Sequence, residues 1–249
     1  MKLSAPVYVL KSQAKALKKA QGFSFSQALN EVARQEGFAT WSLLMSKSER
    51  IVPTNYSEVL DFLNEGDLML VAARPRVGKT VFAYGLLAQA EEKKRPKGHL
   101  FTLVESEHDA RKRFDSKDLC WIDCSDDINA DYIIAATRSR VKPGSLIVVD
   151  YLQMLDEKRT NAPLQAQISS LQAFAKSSGC IIVFLCQLDR QVGERLDQRP
   201  TIADVRLPNP LDLKIFNKIL FLYRESPEAE LAEVSFSGHE TNSFKVTLA

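Results

Sequence analysis

Two spacings of apolar side chains divide the chain into a short helical front and a longer region of alternating strands and helices. Within the first 47 residues, apolar positions recur every three or four residues, which is typical of amphipathic helices. From about residue 57 onward, apolar runs of strand length alternate with helical stretches. The pattern predicts a small helical module at 1–47, a polar linker at 48–56 and an α/β domain at 57–249.

The front module is predicted to contain three short helices. A first amphipathic helix is expected over 9–20, and Gly22 follows its end. Ser24 and Gln27 have the spacing of a capping box, which predicts the start of a second helix. Thr40 is expected to cap a third, shorter helix.

Six apolar runs are expected to form the sheet of the second region. These runs lie at 67–73, 99–104, 120–124, 145–150, 180–186 and 218–223. Several of them are apolar on both faces, as strands are when helices cover both sides of a sheet. A helical stripe at Leu164, Ile168 and Leu171 separates two of the runs, and the tail from residue 232 resembles a β-hairpin. The pattern therefore predicts a mostly parallel, doubly wound sheet.

Charge is distributed unevenly along the chain, although the net charge is only +2. Residues 1–50 carry eight Lys or Arg and three Glu, which gives this part a net charge of +5. The remaining residues carry 25 basic and 28 acidic side chains. A basic front piece indicates either nucleic-acid binding or a solvated helix face, and both interpretations stay open.

Cysteine and histidine usage argues against a zinc site. Four cysteines and three histidines occur without a C-x-x-C pair, at positions 120, 124, 180, 186 and 99, 108, 239. Buried free thiols in a reducing cytoplasm are therefore expected. No apolar run approaches the roughly 20 residues that span a bilayer, and the N-terminus has no apolar signal segment. We expect a cytoplasmic protein without membrane contact.

Residues 71–82, VAARPRVGKTVF, end in the Gly-Lys-Thr of a phosphate-binding loop. A predicted strand enters this loop and a helix follows it, and this context distinguishes such a loop from an ordinary βα turn. The predicted nucleotide-binding residues are Ala73, Arg74, Pro75, Arg76, Val77, Gly78, Lys79 and Thr80. Backbone N–H groups and Lys79 would bind the phosphates, and the Thr80 hydroxyl would bind Mg²⁺.

Asp150 follows the apolar run SLIVV and is the second part of the predicted site, after the loop. Ligands of parallel sheets bind beyond the carboxyl ends of the strands. A carboxylate at such an end is a candidate Mg²⁺ ligand, although an Asp after a strand can also be a turn or a helix cap. Together with the loop, Asp150 favours a site for ATP and Mg²⁺.

Three ordered blocks resemble one family. The blocks AARPRVGKT, LIVVDYLQML and VFLCQLDRQVGERLDQRPTIADVR are similar to the ATPase domain of DnaB-like replicative helicases, which has the RecA-like fold. In that family alanine commonly stands where Ala73 does. The resemblance covers about 65–225 and implies that Gln187 senses the γ-phosphate. It also implies that 189–206 lines a DNA channel, and that ATP sites form between subunits.

The front module has a resemblance of its own. Its pattern SxSQALxxVARxxGFxxW is similar to a small helical module of assorted bacterial and plasmid-borne proteins. The N-terminal domain and linker helix of the helicase family are not recognisable in this region. The resemblance gives the module no biochemical role.

The chain departs from the helicase pattern at three places. Val104 stands where the family has a catalytic glutamate, and Glu105 follows one residue later. A one-residue shift on a strand reverses the face of a side chain, but a bulge at a strand end restores it, so Glu105 is the candidate base. The second departure is that no Lys or Arg lies between Arg224 and Lys245, where the family has a basic element that reaches the neighbouring ATP site. The third is the block LPNPLDLKIFNK, which replaces an acidic-polar loop.

Three functions follow from these patterns. The first is an ATP-binding, DnaB-like helicase or ATPase of DNA replication and metabolism, a hydrolase with weakened hydrolysis. The alternative is a nucleotide-binding regulator or DNA adaptor with a degenerate ATPase site. The third, a small-molecule kinase or transferase, lacks support from the QLDRQ block. Expected partners are ATP and single-stranded DNA or another nucleic acid, and monomer, dimer and loose ring all stay open.

Overall fold

The computed structural model describes residues 4, 7–47, 53–114, 118–158, 160–205, 207, 209–226, 229–237 and 239–247. Contacts between Cα positions divide the chain into two compact units, Met1–Val52 and Pro53–Ala249. Each unit buries its own cluster of apolar side chains, so each has a separate hydrophobic core.

Three helices form the described part of the first unit, which confirms the prediction from apolar spacing. They are α1 Val7–Gln21, α2 Phe25–Gln35 and α3 Trp41–Lys47. The predicted capping box is present, because the Gln27 N–H donates to Ser24 Oγ and the Ser24 N–H donates to Gln27 Oε1. Thr40 Oγ1 accepts the Leu43 N–H at 3.1 Å at the start of α3. The helices enclose a cluster formed by Leu10, Ala14, Ala28, Val32, Ala33, Phe38 and Leu44.

Among the described residues of the second unit, eight strands form one sheet. In chain order they are β1 Leu68–Ala73, β2 Gly98–Thr102, β3 Cys120–Asp123, β4 Leu146–Asp150, β5 Ile181–Gln187, β6 Lys218–Tyr223, β7 Leu231–Phe236 and β8 His239–Thr247. Across the sheet the order is β3-β2-β4-β5-β1-β6-β7-β8. The first six strands are parallel, and β7 and β8 form the predicted antiparallel hairpin beyond β6.

Helix α4 Tyr56–Phe62 precedes β1, and helices connect the successive parallel strands from β1 to β5. The connecting helices are α5 Lys79–Glu92, α6 Glu107–Arg113, α7 Ala130–Thr137 and α8 Leu164–Ser178. Short 3₁₀ turns lie at Leu152–Asp156, Arg190–Glu194, Ile202–Asp204 and Leu213–Ile215. The order of strands along the chain and across the sheet is that of a doubly wound α/β fold.

The central strands are buried on both faces. Every residue of β1 and of β4 is buried. Leu68 and Leu70 of β1 share one apolar cluster with Leu171 of α8. Met69 and Val71 point to the opposite face, because side chains alternate along a strand, and both are fully buried there. The predicted mostly parallel sheet with helices on both sides is therefore confirmed.

Some boundaries differ from the predicted ones. β2 ends at Thr102 and not at residue 104, because the chain bends at 103–105. Helices α4, α6 and α7 were not predicted, and at 7, 7 and 8 residues they are too short to show a clear helical period. Of the predicted linker, residues 48–52 lie outside the described residues. At its other end, Asn55 caps α4 by accepting the Glu58 N–H at 2.9 Å.

Candidate active site

Four parallel strands bring the predicted site residues to one edge of the sheet. β1 ends at Ala73 and β5 ends at Gln187, and these two residues are register partners. β4 ends at Asp150, which pairs with Thr102 of β2 and with Leu185 of β5. Because the carboxyl ends of parallel strands meet at the same edge, the predicted residues lie near one another.

The predicted phosphate loop is the turn between β1 and α5. Gly78 has φ of 105°, a left-handed conformation that glycine adopts without steric cost. Arg76 also has a positive φ, 62°. Ala73 is an ordinary, fully buried residue of β1, so the position at which the general pattern has glycine does not require one here. The loop runs directly into the first turn of α5, whose N–H groups attract anions.

Lys79 turns back over the loop that precedes it. Its Nζ donates hydrogen bonds to the carbonyl oxygens of Ala73 and Arg74, each at 3.2 Å. Burial lowers the pKa of Lys79 below its ordinary value, whereas the negative charge of Asp150 favours the charged form. The ammonium group therefore lies within the loop and interacts electrostatically with the Asp150 carboxylate.

Thr80 joins the phosphate loop to β4. Its Oγ1 donates a hydrogen bond to Asp150 Oδ2 at 2.7 Å. Asp150 is only 2% exposed, and this burial raises its pKa above the ordinary value, against the opposing effects of the Thr80 hydroxyl and the Lys79 charge. Mg²⁺ takes oxygen ligands, and a carboxylate and a threonine hydroxyl both supply them, so this pair fits a magnesium ion.

The bend after β2 sends Val104 and Glu105 in different directions. Val104 is 55% exposed, and its N–H donates to Thr102 Oγ1 at 3.1 Å. The Glu105 side chain is 10% exposed. It accepts a hydrogen bond from the Tyr84 hydroxyl and another from Arg113 Nε, the latter at 2.7 Å. The bend therefore brings Glu105, and not Val104, against helix α5.

Gln187 has an exposed side chain at the end of β5. Its backbone is held by Gln153, whose Nε2 donates to the Gln187 carbonyl at 3.0 Å and whose Oε1 accepts the Gln187 N–H at 3.5 Å. Gln153 lies in the 3₁₀ turn after β4 and was not predicted as a site residue. Its place in LIVVDYLQML, three residues after Asp150, was the available signal.

Tyr84 and Arg113 were also absent from the predicted site. Tyr84 lies on α5, four residues after Thr80, and is 6% exposed. Residues four apart share one face of a helix, so the Tyr84 hydroxyl points the same way as the Thr80 hydroxyl. That spacing was readable in the sequence, whereas the contact of Arg113 with Glu105 depends on the course of α6.

Arginines of the predicted DNA-channel segment, 189–206, bind carboxylates of the same unit. Arg195 Nη2 lies 3.0 Å from Asp204 Oδ2. Arg199 Nη2 lies 3.1 Å from an oxygen of Glu233 on β7. The side chains of the segment's other arginines, Arg190 and Arg206, lie outside the described residues. The positive charge of the described arginines is thus neutralised internally, which weakens their attraction for nucleic-acid phosphates.

A cleft of about 410 Å³ opens beside the phosphate loop. Its lining consists of Arg74, Pro75, Arg76, Val77, Arg224, Glu225 and Ser226. Arg74 Nη2 donates to the Arg224 carbonyl at 3.3 Å, and among the described residues the buried Arg224 Nε has no hydrogen-bond partner. Three arginines and one glutamate make the cleft positively charged, so it suits an anionic ligand.

The remaining departures from the helicase pattern lie before β6 and in β7 and β8. The stretch without Lys or Arg after Arg224 forms β7 and most of β8, and Lys245 of β8 is the register partner of Glu233. The LPNPLDLKIFNK block contains one 3₁₀ turn and leads into β6. Within it, Asn217 Oδ1 accepts the Leu68 N–H at 2.9 Å, so this block supports the first residue of β1.

The four cysteines are free thiols. Cys120, Cys180 and Cys186 are buried, as predicted, and burial raises the pKa of Cys120 to about 12. Cys124 is only partly buried. Among the residues that the structure describes, no three His, Cys, Asp or Glu side chains form a metal-binding group. No helix in the same residues has the length and apolar character needed to cross a lipid bilayer.

Sequence comparison identifies relatives over most of the chain. The replicative DNA helicase DnaB of Geobacillus stearothermophilus is 29% identical, over 70% of this chain and 47% of the relative. The replicative DNA helicase DnaB of Mycoplasma genitalium is 26% identical, over 74% of this chain and 47% of the relative. The chain thus spans about half the length of the curated relatives it matches.

Solved structures with the same fold support the architecture. One solved ATPase domain matches with a TM-score of 0.62 at 22% identity, over 90% of this chain and 94% of that one. A DnaB-like replicative helicase, solved in a study of its interactions with primase, also matches with a TM-score of 0.62, at 21% identity. The second match covers 97% of this chain and 73% of that one. The fold is the RecA-like α/β fold of these ATPase domains.

A family model gives the assignment. The model described as DnaB-like helicase C terminal domain matches residues 109–241, which is more than half of the chain. The matched region contains β4 with Asp150, β5 with Gln187 and the segment after it. This chain therefore belongs to the family of DnaB-like helicase C-terminal domains.

Proposed function

We propose that this chain is an ATP-binding, DnaB-like ATPase that acts in DNA metabolism, with single-stranded DNA as its nucleic-acid partner. The observation that supports this proposal most strongly is the 2.7 Å hydrogen bond between Thr80 Oγ1 and Asp150 Oδ2. It joins the phosphate loop to a buried carboxylate at the end of β4. An ordinary turn between a strand and a helix does not require a buried carboxylate beside it. Membership of the helicase family also supports the proposal.

Nucleotide phosphates are assigned to the loop and to the first turn of α5. Loop N–H groups and Lys79 would bind the phosphates, and the positive cleft beside Arg74 and Arg76 adds attraction for an anion. Thr80 and Asp150 would hold Mg²⁺, which neutralises charge on a phosphoryl group when bound. These assignments account for the convergence of a lysine, a hydroxyl and a carboxylate at one edge of the sheet.

Two further residues are assigned to the reaction itself. Glu105 accepts a proton from the attacking water, since its carboxylate lies beside α5 and is largely shielded from solvent. Gln187 senses the terminal phosphate, because its amide both donates and accepts hydrogen bonds and it pairs in register with Ala73. Both residues stand at the carboxyl edge that carries the loop.

Hydrolysis of ATP with and without single-stranded DNA tests the proposal. We expect turnover in the purified chain, and a loss of about 100-fold or more in Lys79→Ala, because the lysine stabilises the transferred phosphoryl group. Lys94→Ala is the matched control, since Lys94 is an exposed lysine just beyond the end of α5. Equal turnover in the wild type and in Lys79→Ala would refute the proposal.

A second candidate function is a nucleotide-binding regulator or DNA adaptor with inefficient hydrolysis. The absence of Lys and Arg between Arg224 and Lys245 favours it, because no basic side chain of that stretch is available to a neighbouring ATP site. This candidate predicts Mg²⁺-dependent ATP binding with negligible turnover and no unwinding. Robust hydrolysis that Glu105→Gln abolishes would contradict it.

A further inference from the structure

We propose that Tyr84 and Arg113 are positioning residues that hold Glu105 in place as the proton acceptor for ATP hydrolysis. In that reaction the water oxygen bonds to the γ-phosphorus, and the bond from that phosphorus to the β–γ bridging oxygen breaks. Its electron pair leaves with ADP, and the Glu105 carboxylate accepts the proton of the water. This inference rests on the proposed ATPase function and extends it to two residues that no motif contains.

The backbone after β2 is fixed at several points. The Leu103 N–H donates to the Asp150 carbonyl at 3.4 Å, so the bend starts beside the end of β4. The Val104 N–H then donates to Thr102 Oγ1 at 3.1 Å. The Cys124 thiol donates a hydrogen bond to the Glu105 carbonyl oxygen at 3.6 Å. Residues at the ends of both neighbouring strands therefore support the bend that turns Glu105 inward.

Helix α5 presents two hydroxyls to two carboxylates. Thr80 donates to Asp150, and Tyr84, one turn later on the same face, donates to Glu105 Oε1. The Tyr84 ring is held in turn by Phe114, with ring centroids 4.6 Å apart. The helix that begins at the phosphate loop thus sets the positions of both carboxylates relative to that loop.

Arg113 holds the other oxygen of Glu105. Its Nε lies 2.7 Å from Glu105 Oε2. The Arg113 side chain is 52% exposed, and an ion pair with such an exposed partner contributes little to folding stability. A purely structural role for Arg113 therefore predicts almost no effect of its loss, whereas a positioning role predicts a loss of turnover.

Steady-state kinetics of the full chain separates positioning from binding. We expect kcat for Mg²⁺-ATP to fall about 10-fold or more in Tyr84→Phe and in Arg113→Gln. The affinity for a fluorescent ATP analogue should stay within about 2-fold of the wild type, because neither residue belongs to the phosphate loop. Arg113→Lys should restore part of the activity, since it keeps the charge but loses the planar donor geometry.

Matched controls come from the same elements or the same chemistry. Arg111→Gln removes another arginine of α6, one that binds Glu107 at 2.7 Å. Tyr132→Phe removes another tyrosine hydroxyl, which donates to Asp123 at 2.8 Å. Both controls should keep wild-type kcat, because neither side chain contacts Glu105.

Coupling to Glu105 completes the test. In a Glu105→Gln background, Tyr84→Phe should cause little further loss of kcat, because the acceptor that it positions is already gone. A kcat within about 2-fold of the wild type in both Tyr84→Phe and Arg113→Gln, or an undiminished further loss in the Glu105→Gln background, overturns the inference alone. Wild-type turnover no higher than that of Lys79→Ala overturns this inference and the ATPase proposal together.

Discussion

Asp150 and Glu105 both accept a hydrogen bond from a hydroxyl group of helix α5, but the protein holds them in different ways. Asp150 is the last residue of a strand that is buried along its whole length, and it is 2% exposed. Glu105 lies three residues beyond the end of β2, in a bend, and it contacts the half-exposed Arg113. The sheet itself fixes the first carboxylate, whereas individual side chains fix the second. The proposed phosphate- and Mg²⁺-binding side of the site therefore follows from the fold, and the proposed proton-accepting side depends on single contacts.

Asp150→Asn tests the side that the sheet fixes, and it has the largest expected effect. The amide keeps an oxygen that can accept the Thr80 hydroxyl but loses the negative charge that binds a divalent cation. We expect Mg²⁺-dependent turnover to fall about 100-fold or more, with magnesium-free nucleotide affinity near the wild-type value. Titrating Mg²⁺ in hydrolysis and binding assays measures both. Asp123→Asn on β3 is the control, and an unchanged Mg²⁺ requirement in Asp150→Asn would break the comparison.

Gly98→Ala tests how closely β2 packs against β4 and helix α5. A Cβ at Gly98 would lie 2.7 Å from Leu87 Cδ2 and 2.9 Å from the Leu146 carbonyl oxygen. Because that carbonyl belongs to β4, the two strands must separate to accept the methyl group. We expect a loss of about 1–3 kcal/mol in the free energy of unfolding, measured by urea denaturation. A free energy equal to that of the wild type would show that the strands are not packed this closely.

The pH dependence of stability tests the burial of the same strand through His99 of β2. This prediction has the smallest expected effect. Burial, with help from Arg140 and Lys97 and against Asp123, lowers the pKa of His99 from 6.5 to about 4. The unfolded chain therefore takes up a proton that the folded protein excludes, so this stabilising contribution is present above pH 6.5 and is lost as pH falls towards 4. Between pH 7 and pH 4.5 we expect the wild type to lose about 1–2 kcal/mol more stability than His99→Gln.

Urea denaturation at the two pH values checks this expectation. Equal losses in the wild type and in His99→Gln would mean that His99 is not kept neutral by its surroundings. The expected difference would sharpen the comparison, because it would show that β2 is firmly buried up to the point at which the bend begins. The weakness of the proton-accepting side would then lie in the bend and not in the strand.

The strands were predictable because a strand that is buried on both faces is a continuous run of apolar residues in the sequence. A strand such as 146–150 is apolar at every position before its final aspartate, as expected of a strand that helices cover on both faces. The capping box at Ser24 was equally readable, since both of its members lie within one turn. The short helices α4, α6 and α7 were missed because two turns are too few to establish a period, whereas α3, also of seven residues, was predicted together with its Thr40 cap.

The site was predictable where its residues belong to a recognisable block or stand at a strand end. The phosphate loop and Asp150 lie at strand ends that the pattern marks, so their proximity followed from the parallel sheet. Tyr84 and Glu105 are 21 residues apart, and their contact depends on where α5 passes the bend. The end of β2 at Thr102 could not be predicted from the sequence either. It depends on the Thr102 side chain, which accepts the N–H of a nearby residue and so ends the strand early.

The hydrogen bonds of Lys79 and Thr80 have a thermodynamic consequence. Both side chains already have partners within the protein: Lys79 donates to two loop carbonyls, and Thr80 donates to Asp150. In the proposed site, an incoming phosphate or cation replaces these internal partners, and each hydrogen bond to a charged group that is exchanged is worth about 1.5–3 kcal/mol on both sides of the equilibrium. Association is thus a substitution reaction in which large terms nearly cancel. The small remainder decides which anion is retained.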